Sequence, residues 1–361
     1  MAKPKSDQPD LLVDVAVVGG GVAGCYVAWR LRTEDQGKRV ALFEHSNRIG
    51  GRLHSKHLDG MDHVVAELGG MRFRPEQDVA VESLVHHLRL PTRYFPMGDP
   101  AKAVPPFGDY ANYEPARDGV ERDGDDANLL YFRRTQIRVG ALKQGADVPF
   151  QLAPVERDHT SDELLALAQK TWLPLNGRLG PADLPRFAEQ RVLGRALYEH
   201  GYWNLMYQAL SPEAYAYART MNAYDEGASN GNAASALQPR TTREGYRTLV
   251  DGYQALPLAM DEAFQSEDGH TFLNHRLVRF DRLDEGKGYR LLFARTQTDE
   301  LGQTVDDEDA APFVVHARHI VLAMPRRGLE LLDQDGFFFQ HPAVRHGVRA
   351  VSQHKAFKLF L

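Results

Sequence analysis

Cysteine is almost absent: Cys25 alone in 361 residues allows no internal disulfide, so the fold must be held by its core. Its place inside a run that reads as a helix marks a packed core residue rather than a reactive thiol. Long apolar runs are missing too, and none approaches the roughly 18 residues that span a bilayer. The polar start Met1 to Asp10 has no signal-peptide character, so the chain as it stands reads as soluble and cytoplasmic, without a membrane partner. A net charge of −6 offers no basic face for nucleic acid, and there is no internal repeat. What is present is ordinary globular composition, 43% hydrophobic and 25% charged, in a length that suggests two or three domains.

The most informative stretch runs from Val15 to Gly24, Val-Ala-Val-Val-Gly-Gly-Gly-Val-Ala-Gly. Asp14 to Val18 is short, apolar and rich in β-branched residues, the pattern of a strand buried on both faces of a parallel sheet. Gly19 permits a tight turn, Gly21 lets the main chain meet a pyrophosphate, and Gly24 lets the next helix pack close to the strand. That helix, Val22 to about Arg32, offers the N–H groups of Val22, Ala23 and Gly24 and the positive end of its dipole to phosphate. A second strand, Arg39 to Phe43, ends in Glu44, twenty positions after Gly24. A carboxylate there accepts ribose hydroxyls and repels a ribose phosphate, which disfavours NADP.

Farther along, Val81, Leu84, Val85 and Leu88 share one helical face, and that helix is expected to end at Leu90 before Pro91. Met97 to Asn128 is crowded with Gly, Pro and Asp and reads as a long loop. Leu129 to Ile137 resembles a strand. From Thr160 to Ala223 the pattern is helical, with a capping box at Thr160 and Glu163 and another helix start at Ser211-Pro212-Glu213. Pro257 begins a helix running toward Phe264. Strands at Arg276–Phe280, Tyr289–Arg295 and Phe313–His316 lead into His319-Ile-Val-Leu-Ala-Met-Pro325, apolar enough to rejoin the first sheet.

Gly19-x-Gly21-x-x-Gly24, Glu44, Gly50-Gly51-Arg52, Glu67-Leu-Gly-Gly-Met-Arg72, Gly252-Tyr-Gln-Ala-Leu-Pro257 and Ile320-Val-Leu-Ala-Met-Pro325 occur in one order over nearly the whole chain. This series resembles the flavin-containing amine oxidases. Gly-Gly-Met-Arg-Phe73 with Val148-Pro-Phe-Gln-Leu152, a helical insert and Asp251-Gly-Tyr-Gln-Ala-Leu-Pro is most similar to bacterial and fungal L-amino-acid oxidases. The resemblance implies an α/β fold with a Rossmann-like FAD-binding domain of the p-hydroxybenzoate-hydroxylase type, a mixed-sheet substrate domain and a helical domain. On that basis residues 9–75 and 243–345 form the FAD-binding domain, 76–155 and 346–361 an incomplete substrate domain, and 156–242 the helical domain. It further implies non-covalent FAD, and oxidation of an L-amino acid by dioxygen to a 2-oxo acid, ammonia and hydrogen peroxide.

Carried over by motif, Arg72 clamps the substrate carboxylate beside the flavin, a role that suits the planar guanidinium fork; its plain alternative is a structural ion pair. Gly51, Gly70 and Met71 fall in the same cofactor-binding motifs, and Arg52 resembles the arginine that reaches the FAD phosphates. Lys358 aligns with the lysine that holds a water near flavin N5, against the plain reading of a solvated strand lysine. Leu277 falls where relatives contact adenine through the backbone, and a core position explains it equally well. His54, His57 and His63 cluster, but their irregular spacing and the lack of a helix to align two of them argue for structural or solvated histidines and no metal. Tyr202, Trp203, Tyr207, Tyr215 and Tyr217 lie where family helices shape the substrate entrance, although helix packing explains most of these rings.

Family members continue beyond the Lys358 strand with more substrate domain and a segment that closes over the flavin, including an aromatic partner for Arg72. The C-terminal part of the family fold is therefore expected to be missing from this chain. A fragment, a processed chain completed by a second chain, and a diverged protein without catalysis all fit, and a homodimer is common among relatives. The alternatives to an L-amino-acid oxidase are a monoamine or polyamine oxidase and a non-catalytic dinucleotide-binding protein.

Overall fold

Alternation of apolar residues along the first strand builds the core on two sides at once. In β1 (Leu11–Val18), Val15 and Val17 pack with the first helix, α1 (Val22–Glu34), while Ala16 and Val18 face the opposite core. β2 (Val40–Phe43) repeats this, Val40 and Leu42 on one face and Ala41 and Phe43 on the other. The computed structural model describes residues 8–75, 78–95, 129–173, 184–222, 230–237, 246–283, 286–351 and 358.

These strands belong to a mixed seven-stranded sheet. Its order is His270–Phe272, β2, β1, Phe313–Leu322, Tyr289–Thr298, His275–Arg282, with Thr304–Asp306 pairing beside Tyr289–Thr298. The first four are parallel, and Val18 is in register with both Phe43 and Leu322. Three carboxyl ends therefore open side by side, where a doubly wound sheet leaves its crevice. On the helix side, α1 packs against the helix Ala255–Ser266 through Cys25, Ala28, Trp29, Leu256, Met260 and Phe264. The Cys25 thiol is fully buried and pushed up in pKa by that burial, as a core residue should be. The other face is closed by Leu277, Phe280, Phe293, Leu332, Phe339 and Val348.

The described helices between Ser161 and Met221 pack in two further apolar clusters, one reaching Ala233 and Leu237 and the other Phe132 and Leu152. The capping box forms: Thr160 Oγ1 accepts from Glu163 N–H at 3.3 Å and the Glu163 carboxylate accepts Thr160 N–H at 2.8 Å, opening the helix Ser161–Trp172. Ser211 caps Pro212–Met221. Trp203 meets Tyr202 and Tyr215 edge-on, and Tyr207 meets Tyr215, so these rings mostly pack helices on one another.

Several boundaries differ from the sequence reading. Leu129–Ile137 is not one strand but a hairpin, Leu129–Phe132 paired with Thr135–Arg138. The turn residues Arg133 and Arg134 adopt φ of 48° and 65° without glycine or asparagine, held from outside: the Arg133 guanidinium donates to the Glu213 carboxylate at 2.6 and 2.9 Å and lies 4.1 Å from the Phe150 ring centroid. α2 (Val79–His87) stops before Leu90, because Arg89 turns left-handed at φ 53° and the Leu90 N–H returns to Val85 C=O. Phe313 to Leu322 is a single strand rather than two, paired with β1 along its length. Pro257 is the third residue of Ala255–Ser266, not its first, a place where the missing N–H costs no helical bond. The expected loop Met97–Asn128 lies outside the described residues.

Candidate functional site

Backbone geometry around the start of α1 dictates what can approach it. A Cβ on Gly24 would lie 1.8 Å from Gly19 C=O, and Gly19 itself turns at φ 114°, so helix and strand touch with no room for a side chain. At Gly21 the nearest atom to such a Cβ is 4.0 Å away, leaving open space in front of the helix. Gly21 is the N-cap of α1, without a side-chain cap and with no acidic residue in the first turn. The first-turn N–H groups therefore keep their donor capacity for an anion.

In front of that helix end lies a cavity of about 1260 Å³, larger than the roughly 300–1,000 Å³ of ordinary small-molecule pockets. Gly19, Gly21, Val22, Ala23, Glu44, Gly51, Arg52, Gly70 and Leu277 all lie in its wall, along with the strand ends Val18, Phe43 and Leu322. Glu44 is held in place by Gly20 N–H at 2.7 Å on one oxygen and by Ser46 N–H and hydroxyl at 2.8 Å on the other; the oxygen that accepts Gly20 N–H retains a lone pair for a sugar hydroxyl. Leu277 is buried at a bulge between strands, its side chain in the core and in the cavity wall.

The Gly50–Arg52 loop is pinned over the helix start, Gly50 N–H donating to Gly20 C=O at 2.8 Å. Arg48 braces it by donating to Gly51 and Leu53 carbonyls. Glu67 accepts Ser55 hydroxyl at 2.7 Å and Tyr253 N–H at 2.6 Å, and Gln254 reaches Ile49 C=O at 2.6 Å. These bonds tie the loop and the Glu67–Arg72 segment to the helix Ala255–Ser266.

Beyond Gly70, outside the cavity wall, Met71, Arg72 and Lys358 form a second group. The half-buried Arg72 guanidinium lies 4.0 Å from the Tyr246 ring centroid and 5.3 Å from that of Phe95. Lys358 Nζ donates to Glu67 C=O at 2.9 Å and to Gly69 C=O, and lies 3.2 Å from Met71 Sδ. Burial, reinforced by the Arg72 charge, lowers the Lys358 ammonium pKa despite the opposing pull of Glu67. Among the described residues no three His, Cys, Asp or Glu side chains gather at metal-binding range, and no helix is long and apolar enough to cross a membrane.

Sequence reasoning missed several members of this arrangement. Tyr246, Phe95 and Arg327 carry no local signal, while Val81 and Leu84, read as a core face, also wall the cavity. His275 also lines it: the ring is buried, its Nδ1 lies 2.6 Å from Leu273 C=O, and its Nε2 has no partner among the described residues. An orphaned buried nitrogen in the wall, a helix start free of caps and the open space before Gly21 fit a large phosphate-bearing ligand such as FAD. Within that fit, the helix start and Arg52 would hold phosphate and Glu44 the ribose.

Comparison with known proteins agrees with this geometry. Residues 22–361 match the family described as flavin containing amine oxidoreductase. Achacin of Lissachatina fulica is 31% identical over 328 residues, 89% of this chain and 55% of achacin. Aplysianin-A of Aplysia kurodai is 28% identical over 335 residues, 91% of this chain and 55% of its own length. (S)-6-hydroxynicotine oxidase of Paenarthrobacter nicotinovorans is 24% identical over 284 residues, 74% of this chain and 59% of that enzyme. The chain thus spans little more than half the length of these relatives. A triple mutant of putrescine oxidase superposes with a TM-score of 0.52 at 20% identity, covering 90% of this chain and 60% of that one, which supports the fold alone. With a matching profile over nearly its whole length and a cavity shaped for the cofactor, this chain belongs to the flavin-containing amine oxidoreductases, and its cofactor is FAD.

Proposed function

We propose that the complete protein oxidises an L-amino acid with FAD and dioxygen, yielding a 2-oxo acid, ammonia and hydrogen peroxide. The observation that carries the reading is Arg72: two residues past Gly70 in the cavity wall, its guanidinium lies 4.0 Å from the Tyr246 ring centroid and 5.3 Å from that of Phe95. A guanidinium oriented in this way can take a carboxylate with two parallel hydrogen bonds, and a clamped carboxylate fixes the direction of the substrate Cα–H. When bound, FAD would supply the redox chemistry, the two-electron oxidation at that carbon with dioxygen as the final acceptor. Lys358, its pKa lowered by burial, holds a water at the same edge through the N–H now directed at Met71 Sδ. In this reading 9–75 and 243–345 hold the cofactor, 76–155 and 346–361 contribute to the substrate side, and 156–242 is the helical domain.

A second reading, oxidation of an amine without a carboxylate, is favoured by the match to (S)-6-hydroxynicotine oxidase and would leave Arg72 as a purely structural stack. A peroxide-release screen over the twenty amino acids and a panel of mono- and polyamines separates them. Turnover confined to L-amino acids is the expected result; turnover of amines alone would overturn it.

A further inference from the structure

The Gly50–Arg52 loop and the segment after Leu322, which leads into the short helix Arg326–Glu330, bracket the N-terminus of α1, and each carries an arginine into the cavity wall. On one side Gly51 lies so close that a Cβ on it would sit 3.2 Å from Gly21 Cα, and Arg52 follows. On the other, a Cβ on Gly24 would be 3.4 Å from the Ala323 Cβ and one on Gly19 would be 3.5 Å from Met324 Cγ; Arg327 follows one turn later and lines the same cavity.

The neighbouring Arg326 has a different task. Its Nε donates to Glu330 at 2.7 Å, and Nη1 reaches the Arg349 and Val351 carbonyls at 3.3 and 2.5 Å, anchoring the chain behind the sheet. Arg327 is held more loosely: it pairs with the same Glu330 at 3.8 Å, beyond hydrogen-bond reach, and its side chain is 71% exposed. Charge balance gives it a further partner. A pyrophosphate bridge carries two negative charges, the helix start supplies roughly half a positive one, and Arg52 supplies one more.

We propose that Arg327 is a second cationic clamp on the cofactor pyrophosphate, opposite Arg52, so that the phosphates lie between two guanidinium groups over the start of α1. The residue is a positioning group for the cofactor and takes no part in electron transfer, so it stands whether the substrate is an amino acid or an amine.

The test titrates the full-length, flavin-stripped chain with FAD, ADP and adenosine by calorimetry. Arg327→Gln should weaken FAD and ADP binding by on the order of ten- to a hundredfold, the effect of losing one charge-assisted contact, and leave adenosine within about twofold. Arg327→Lys, which keeps the charge and loses the fork, should fall between, so that the reading survives even if the glutamine variant folds poorly. Arg326→Gln should leave the ratio of ADP to adenosine affinity unchanged. Equal losses for ADP and adenosine would place Arg327 on the base and overturn the proposal. So would an unchanged ratio in both Arg327 variants, or a wild-type chain that binds ADP no tighter than adenosine.

Discussion

Around the start of α1 the groups that face the cavity are backbone atoms and short-range side chains, many of them between Gly19 and Leu53. Around Arg72 they come from across the chain: Phe95, Tyr246 and Lys358 converge on a segment that none of them adjoins in sequence. The first region is rigid because strand and helix are in van der Waals contact through glycine, with no side chain to repack. The second is held by a guanidinium over aromatic rings and by carbonyls gripping an ammonium group. Cofactor binding should therefore fail all at once when its backbone is disturbed, whereas the substrate handling proposed for the Arg72 group should respond residue by residue.

The most severe way to break that contrast is Gly24→Val. Its Cβ would lie 1.8 Å from a main-chain carbonyl, so the helix must shift bodily at a cost of about 3 kcal/mol or more; the purified variant should lack the flavin absorbance bands and melt well below wild type. Retention of full flavin content would mean that the contact is softer than the geometry implies. Arg72→Met comes next. On the amino-acid reading kcat/KM should drop by about a hundred- to a thousandfold, the cost of removing one partner of a desolvated charge pair, with flavin content unchanged. Steady-state peroxide release paired with an absorbance ratio measures both.

Thr160→Ala tests the helical region instead. Loss of the capping box should cost about 1 kcal/mol and lower Tm by about 2 °C, seen by calorimetry, without loosening FAD. The smallest effect at neutral pH is that of the Arg133–Glu213 pair. Hydrogen bonds from Arg133 and from Gln151 N–H hold the Glu213 carboxyl down at about 2 against an ordinary 4.5. A depressed carboxyl stabilises the fold above its unfolded value and loses that contribution as pH falls toward its folded one. Melts of wild type and Glu213→Gln should therefore differ above pH 4.5 and converge toward pH 2; a constant difference across that range would rule out the pair as the source.

What could be read from the chain followed the range of the forces involved. β1, α1 and β2 were legible since their strand period, helix start and terminal Glu44 lie within about thirty residues and obey local sterics. The hairpin at Arg133-Arg134 was not, because its left-handed turn is stabilised by Glu213 and Phe150 rather than by a turn residue. The premature stop of α2 at Arg89 is of the same kind, a left-handed residue with no glycine to announce it.

The sequence by itself determined the uncapped, glycine-lined helix start, the acid beyond β2, the buried thiol and the family, because each depends on residue type at fixed spacing. Only tertiary structure decided that Arg72 would lie against Tyr246 and Phe95, that Lys358 would grip the Glu67 and Gly69 carbonyls, and that Arg327 rather than Arg326 would reach the cavity. Stacking, carbonyl capture and the choice between adjacent arginines depend on directions in space, and spacing along a chain does not encode a direction until the sheet and its loops have set one.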